Sequence, residues 1–126
     1  MTYKILAVDD HPETLDIVVI TLKQYGYDVV STTLPREALK LAEAEKPDLV
    51  LLDVNMPEIS GLEVCRRLRA NPDLATVPII MFTAEDEPYQ KLAGFDAGAD
   101  DYLTKPTDPE EMIARIEGIL GDGGSG

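Results

Sequence analysis

Leu49-Val50-Leu51-Leu52-Asp53 is the stretch that decides how this chain folds. Four successive apolar residues show no alternation, so a strand here must be covered on both faces, as in a parallel sheet between layers of helices. The run then stops at a carboxylate. Working outward, comparable runs occur at Ile5-Leu6-Ala7-Val8, Val29-Val30 and Val77-Pro78-Ile79-Ile80-Met81-Phe82, with a weaker one at Tyr102-Leu103. Between them the apolar period lengthens to that of a helix. Leu15, Val18, Val19 and Leu22 form one stripe, Leu34, Ala38, Leu41 and Ala42 a second, and Met112, Ile113, Ile116 and Leu120 the last. Shorter helices are expected near Leu62 and Leu92.

Boundary residues agree with these periods. Ser60-Gly61-Leu62-Glu63 reads as a capping box. Asp108-Pro109 offers a cap acceptor followed by a proline at the first helical position. Gly26 is placed to end the first helix. The alternation βαβαβαβαβα predicts an α/β fold with a five-stranded parallel sheet and helices on both faces. One domain is expected over residues 1–120. The tail, residues 121–126, has the composition of a flexible linker and reads as the start of a linker or an expression scar.

Composition narrows the function. The chain has 126 residues, of which 44% are hydrophobic, enough for one domain with a real core. A net charge of −13 would repel nucleic acid phosphates, so direct nucleic acid binding by this domain is not expected. No apolar run approaches a membrane span, and Met1-Thr2-Tyr3-Lys4 leads into a short apolar run without a signal peptide. Cys65 is the single cysteine, which excludes an internal disulfide and suits a reducing cytoplasm.

The chemistry gathers at strand ends. The first strand ends in Asp9-Asp10, the third in Asp53 and the fourth in Thr83, while Lys105 follows the fifth. In an open parallel sheet the carboxyl ends of the strands share an edge, and ligands bind there where the strand order reverses. With the order taken as 2-1-3-4-5, all five side chains converge on one pocket. Carboxylates so placed resist ionisation unless a cation compensates them. A hard divalent cation with oxygen ligands answers that need, Mg2+ first, with Mn2+ able to substitute. An ammonium and a hydroxyl beside them could take up phosphate oxygens, and phosphoryl transfer requires mainly such positioning and charge neutralisation.

At this point Val8-Asp9-Asp10, the stretch from Leu52-Asp53 through Met56-Pro57 to Gly61, Phe82-Thr83-Ala84 and the segment Gly98-Ala99-Asp100-Asp101-Tyr102-Leu103-Thr104-Lys105-Pro106 together closely resemble the response-regulator receiver family. The resemblance covers about the first 120 residues. It implies a flavodoxin-like (βα)5 fold and a phosphoacceptor switch of two-component signalling rather than a turnover enzyme. By the same resemblance Asp53 is the phosphoacceptor. Asp10, Asp53 and the backbone carbonyl of Asn55 hold the metal, and Asp9 acts through coordinated water. Thr83 and Lys105 sense the phosphoryl group, Tyr102 rotates when the threonine moves, and a cis bond joins Lys105 to Pro106. The implied partner is a sensor histidine kinase or a histidine phosphotransfer protein. The surface of the fourth helix, fifth strand and fifth helix is the expected output.

Lys91, Asp101, Glu111 and Arg115 resemble the charged set by which receivers attached to winged-helix domains form symmetric dimers. Lys91 with Glu111, and Asp101 with Arg115, would pair across a two-fold axis after phosphorylation. The match is partial, with Ala97 and Thr107 where that subfamily has an acidic residue and a phenylalanine. His11, which could be imagined as a phosphohistidine or a metal ligand, reads as a partly exposed loop residue beside the site, and Cys65 as a buried structural thiol. Glu85 and Asn55 occupy positions that tune dephosphorylation in receivers, and read equally as solvated rim residues. A phosphatase of the haloacid dehalogenase type would need an acid two residues after the nucleophile, where this chain has Asn55. A flavin carrier would need a phosphate-cradling loop where Asp9-Asp10-His11-Pro12 stands.

Overall fold

The computed structural model describes residues 2–83, 93, 95–105 and 108–121, with the side chain of Thr83 left aside. The strands are β1 (Lys4–Val8), β2 (Asp28–Thr32), β3 (Leu49–Leu52), β4 (Ile79–Thr83) and β5 (Asp101–Thr104). The helices are α1 (Pro12–Gln24), α2 (Pro35–Glu45), α3 (Gly61–Ala70) and, at the carboxyl end, α4 (Pro109–Leu120). All strand pairs are parallel, in the order β2-β1-β3-β4-β5. The register sets Val8 beside Leu52 and Thr83 beside Thr104, so β1 and β3, and β4 and β5, end level with each other.

The two-residue period of the strands divides the core. Leu6, Val8, Val50, Leu52, Ile79, Met81 and Tyr102 point to one face, where they meet Ala38 and Ala42 of α2 and Val64, Cys65 and Leu68 of α3. Ile5, Ala7, Leu49, Leu51, Ile80, Phe82 and Leu103 point to the other, against Leu15, Val18 and Leu22 of α1 and Met112, Ile113 and Ile116 of α4. This is why β3 is apolar throughout: every one of its four residues is buried, alternately on either side. Truncating one of them, as in Leu52→Ala, costs about 2–5 kcal/mol.

Helix entries rest on proline. Pro12, Pro35 and Pro109 each occupy the first turn of their helix, where the missing N–H costs nothing. Three details differ from the sequence expectations. Leu34 lies outside α2 as its N-cap residue and is exposed, because Pro35 starts the helix after it. The fourth strand begins at Ile79 rather than Val77, since Pro78 brings a carbonyl but no N–H to the ladder. Asp108 is the N-cap residue of α4 but makes no side-chain capping bond. Gly26 ends α1 as expected, at φ 91°. The helix expected near Leu92 falls largely on residues 84–92 and 94, outside the described residues; Ala93, Phe95 and Asp96 are helical.

Candidate functional site

The level strand ends bring three carboxylates and an ammonium together. Asp9 and Asp53 are buried, at 4% and 3% exposure, and Asp10 is half-buried. Their backbones are held by the neighbouring strands: Asp53 N–H donates to Val8 O at 2.9 Å and Asp9 N–H to Thr32 O at 3.3 Å. Lys105 reaches in from the residue after β5. Its Nζ lies 2.5 Å from Asp9 Oδ2 and 3.6 Å from Asp53 Oδ2, and stands over the Phe82 ring at 5.2 Å from the centroid. In this state the lysine therefore belongs more to Asp9 than to Asp53.

Burial pushes the Asp53 carboxyl up to about 7, and the charges of Asp9 and Asp10 push the same way against Lys105 and the Asn55 N–H. That N–H donates to Asp53 Oδ1 at 3.2 Å. If all three carboxylates ionise, Lys105 compensates one charge and two remain, which is the charge of a divalent cation. Asp10 Oδ1 is buried and accepts no hydrogen bond among the described residues. One ligand atom each from Asp9, Asp10, His11 and Asp53 can be chosen so that all lie within 4.8 Å of one another. Clustered carboxylate oxygens with an unsatisfied buried acceptor suit Mg2+, whose preferred ligands are oxygens.

The loop leaving β3 is shaped around Asp53. Gly61 N–H donates to Val54 O at 2.8 Å, and a Cβ on Gly61 would stand 2.1 Å from Asp53 O. Only glycine allows α3 to start against the backbone of the central aspartate. Ser60 Oγ caps the helix by accepting the Glu63 N–H at 3.3 Å, as the capping-box reading expects.

Asp9, Asp10, Asp53 and Lys105 thus come together. Asn55 adjoins them through its backbone. Thr83 ends β4, level with Thr104, and its side chain lies outside the described residues. Tyr102 is buried on the α2–α3 face. Lys91, Glu85, Pro106 and Thr107 lie outside the described residues. Arg115 pairs within its own chain, with Asp101 at 2.8 Å and Glu111 at 3.6 Å. One feature escaped the sequence reading: the close approach at Gly61, signalled only by a glycine at the first helical position. His11 stands beside the site as expected, with Nδ1 3.2 Å from Asp10 Oδ1.

Residues 5–117 match the family described as the response regulator receiver domain. The alkaline phosphatase synthesis transcriptional regulatory protein PhoP of Bacillus subtilis is 47% identical over 120 residues, covering 95% of this chain and 49% of that protein. The DNA-binding dual master transcriptional regulator RpaA of Synechocystis is 44% identical over 117 residues, 93% of this chain and 48% of that protein. The chain spans about half the length of these relatives. Among solved structures, the chemotaxis protein CheY4 of Vibrio cholerae superposes with a TM-score of 0.91 at 35% identity, covering 95% of this chain and 100% of that one.

Proposed function

The chain belongs to the response regulator receiver domain family, whose members act as phosphoacceptors in two-component signalling, and from that premise we propose that Asp53 is the residue phosphorylated. The observation that carries this reading is a buried carboxylate at the carboxyl edge of the sheet, with Asp9, Asp10 and Lys105 around it. An Asp53 oxygen attacks the phosphorus of a phosphohistidine on a sensor kinase or phosphotransfer protein. The P–N bond breaks, its electron pair stays with the imidazole, and an aspartyl phosphate forms. Bound Mg2+ would neutralise charge on the transferring oxygens. Asp10, Asp53 and the Asn55 carbonyl would be its ligands, with Asp9 acting through coordinated water.

Lys105 stands where a short swing takes Nζ from Asp9 to a phosphoryl oxygen on Asp53. Thr83, ending the adjacent strand, would donate its hydroxyl to another, and Tyr102 would respond to its movement. The altered surface comprises the segment before β5, β5 itself and α4. Phosphorylation-dependent pairing of two copies would use Asp101, Glu111, Arg115 and Lys91, and would require Arg115 to exchange its own Asp101 for that of the second copy. No helix among the described residues is long and apolar enough to cross a membrane. A cytoplasmic switch without turnover fits these features.

Exposure to a small-molecule phosphodonor with Mg2+ should add one phosphoryl group to the intact mass, and Asp53→Asn should add none. An unmodified wild type, or a phosphorylated Asp53→Asn, overturns the reading. Sedimentation of the beryllofluoride-treated protein tests the pairing, which a strict monomer at high concentration excludes.

A further inference from the structure

His11 is the only histidine of the chain, and the transfer described above makes no use of it. It is the N-cap residue of α1, in extended conformation at φ −95° and ψ 107°, the region to which a following proline confines its neighbour. Its N–H donates to Asp9 Oδ1 at 2.9 Å, which fixes the backbone. The imidazole then lies across the carboxylates, with Nδ1 3.2 Å from Asp10 Oδ1 and 3.4 Å from Asp9 Oδ1. The nearer approach is not a hydrogen bond, because Asp10 Oδ1 accepts none among the described residues. Adjacent corners of an octahedron with bonds of about 2.1 Å are about 3 Å apart. Nδ1 and Asp10 Oδ1 stand near that separation, within ion-pair distance of each other, and both belong to the set of ligand atoms gathered within 4.8 Å.

We infer that His11 supplies a nitrogen ligand to the divalent cation of the acidic pocket, and that this site favours first-row transition ions over Mg2+ more than its oxygen ligands alone would. The inference rests on reading that pocket as a cation site. Mg2+ prefers oxygen ligands and sheds water reluctantly, so an imidazole adds little to its binding. Transition ions gain from a nitrogen ligand, and Mn2+ stands at the weak end of that series, which makes it a stringent probe. The ring is 68% exposed, so it can turn to meet an ion without disturbing the core.

Pulsed EPR of Mn2+ bound to the intact protein, with calorimetric titration of Mn2+ and Mg2+, tests this in wild type and His11→Asn. The expected result is a nitrogen coupling on bound Mn2+ that vanishes in the variant. Mn2+ affinity should fall about tenfold while Mg2+ affinity holds. The chain offers no second imidazole as a source of the coupling. Bound Mn2+ without nitrogen coupling, or an equal loss for both ions, overturns the role of His11 and leaves the acidic pocket standing. If neither ion binds the wild type, the cation reading itself falls, and this inference with it.

Discussion

The two ends of the sheet treat charge in opposite ways. At the amino edge, Arg69 in the last turn of α3 reaches over to the turn before β5. Its Nε donates to Gly98 O at 2.9 Å, Nη1 to Val77 O at 2.6 Å and Nη2 to Asp100 Oδ2 at 2.9 Å. Asp100 Oδ2 also accepts the Ile79 N–H at 2.8 Å. One cation, one carboxylate, two carbonyls and an N–H meet in a closed set. At the carboxyl edge three carboxylates share one ammonium, and a buried oxygen accepts nothing among the described residues. The first arrangement joins α3, β4 and the start of β5. The second repels itself, and only something brought from outside resolves it. Charge removal should therefore harm one end and help the other.

The largest effect expected is steric and marks what the carboxyl edge does not tolerate. Gly61→Ala would push a methyl group into the Asp53 carbonyl, 2.1 Å from its oxygen. We expect a loss of about 3 kcal/mol or more in urea unfolding. An alanine variant as stable as wild type would show that the start of α3 is not held against Asp53. Next is the amino edge itself. Arg69→Ala removes the donor to two carbonyls and the ion-pair partner of the half-exposed Asp100, for an expected loss of about 2 kcal/mol. Arg69→Lys should recover only part of it, because an ammonium lacks the planar fork that meets three acceptors at once.

Asp53→Asn should move stability in the other direction. The folded protein holds the Asp53 carboxyl at about 7, above its ordinary 3.8, so folding favours its protonated form. The contribution of this group is complete below about pH 4 and is lost as pH rises through 7. Without divalent cations at pH 8, the asparagine variant should exceed wild type by about 2–4 kcal/mol, with the difference closing toward pH 4. Saturating Mg2+ should shrink or reverse that difference, since only wild type keeps the full ligand set; a site at 100 times its Kd contributes about 2.7 kcal/mol. If Asp53→Asn destabilises the cation-free protein at pH 8, the carboxyl edge is not under electrostatic strain and the contrast between the two ends fails.

The carboxyl-edge half of this contrast is legible in the sequence. The uniform run at Leu49–Leu52 demanded a strand covered on both faces, and the carboxylates after the strands demanded a shared edge. The Arg69–Asp100 set was not legible, because it joins residues 31 apart in sequence through carbonyls, and carbonyls carry no sequence signature. Gly61 reads only as part of a capping box, since a glycine does not announce which backbone it must approach. Lys105 was expected to await a phosphoryl group, whereas it is already engaged with Asp9. Its length allows either partner, and the choice depends on a charge balance that spacing does not express.

The smallest effect tests whether the two ends communicate. Helix α3, capped by Ser60, starts at Gly61 against Asp53 and carries Arg69 in its last turn, so one element touches both regions. Ser60→Ala removes the acceptor of the Glu63 N–H and should cost about 1 kcal/mol. Fraying of the first turn is local, because Val64, Cys65 and Leu68 anchor the helix to the sheet further along. Mg2+ affinity should therefore stay at its wild-type value, and Ser60→Ala combined with Arg69→Ala should destabilise by the sum of the two single changes. A departure from additivity by more than about 0.5 kcal/mol would mean that α3 shifts as a unit. In that case the closed set at the amino edge helps to hold the backbone against which Asp53 is buried, and the two ends are parts of one device.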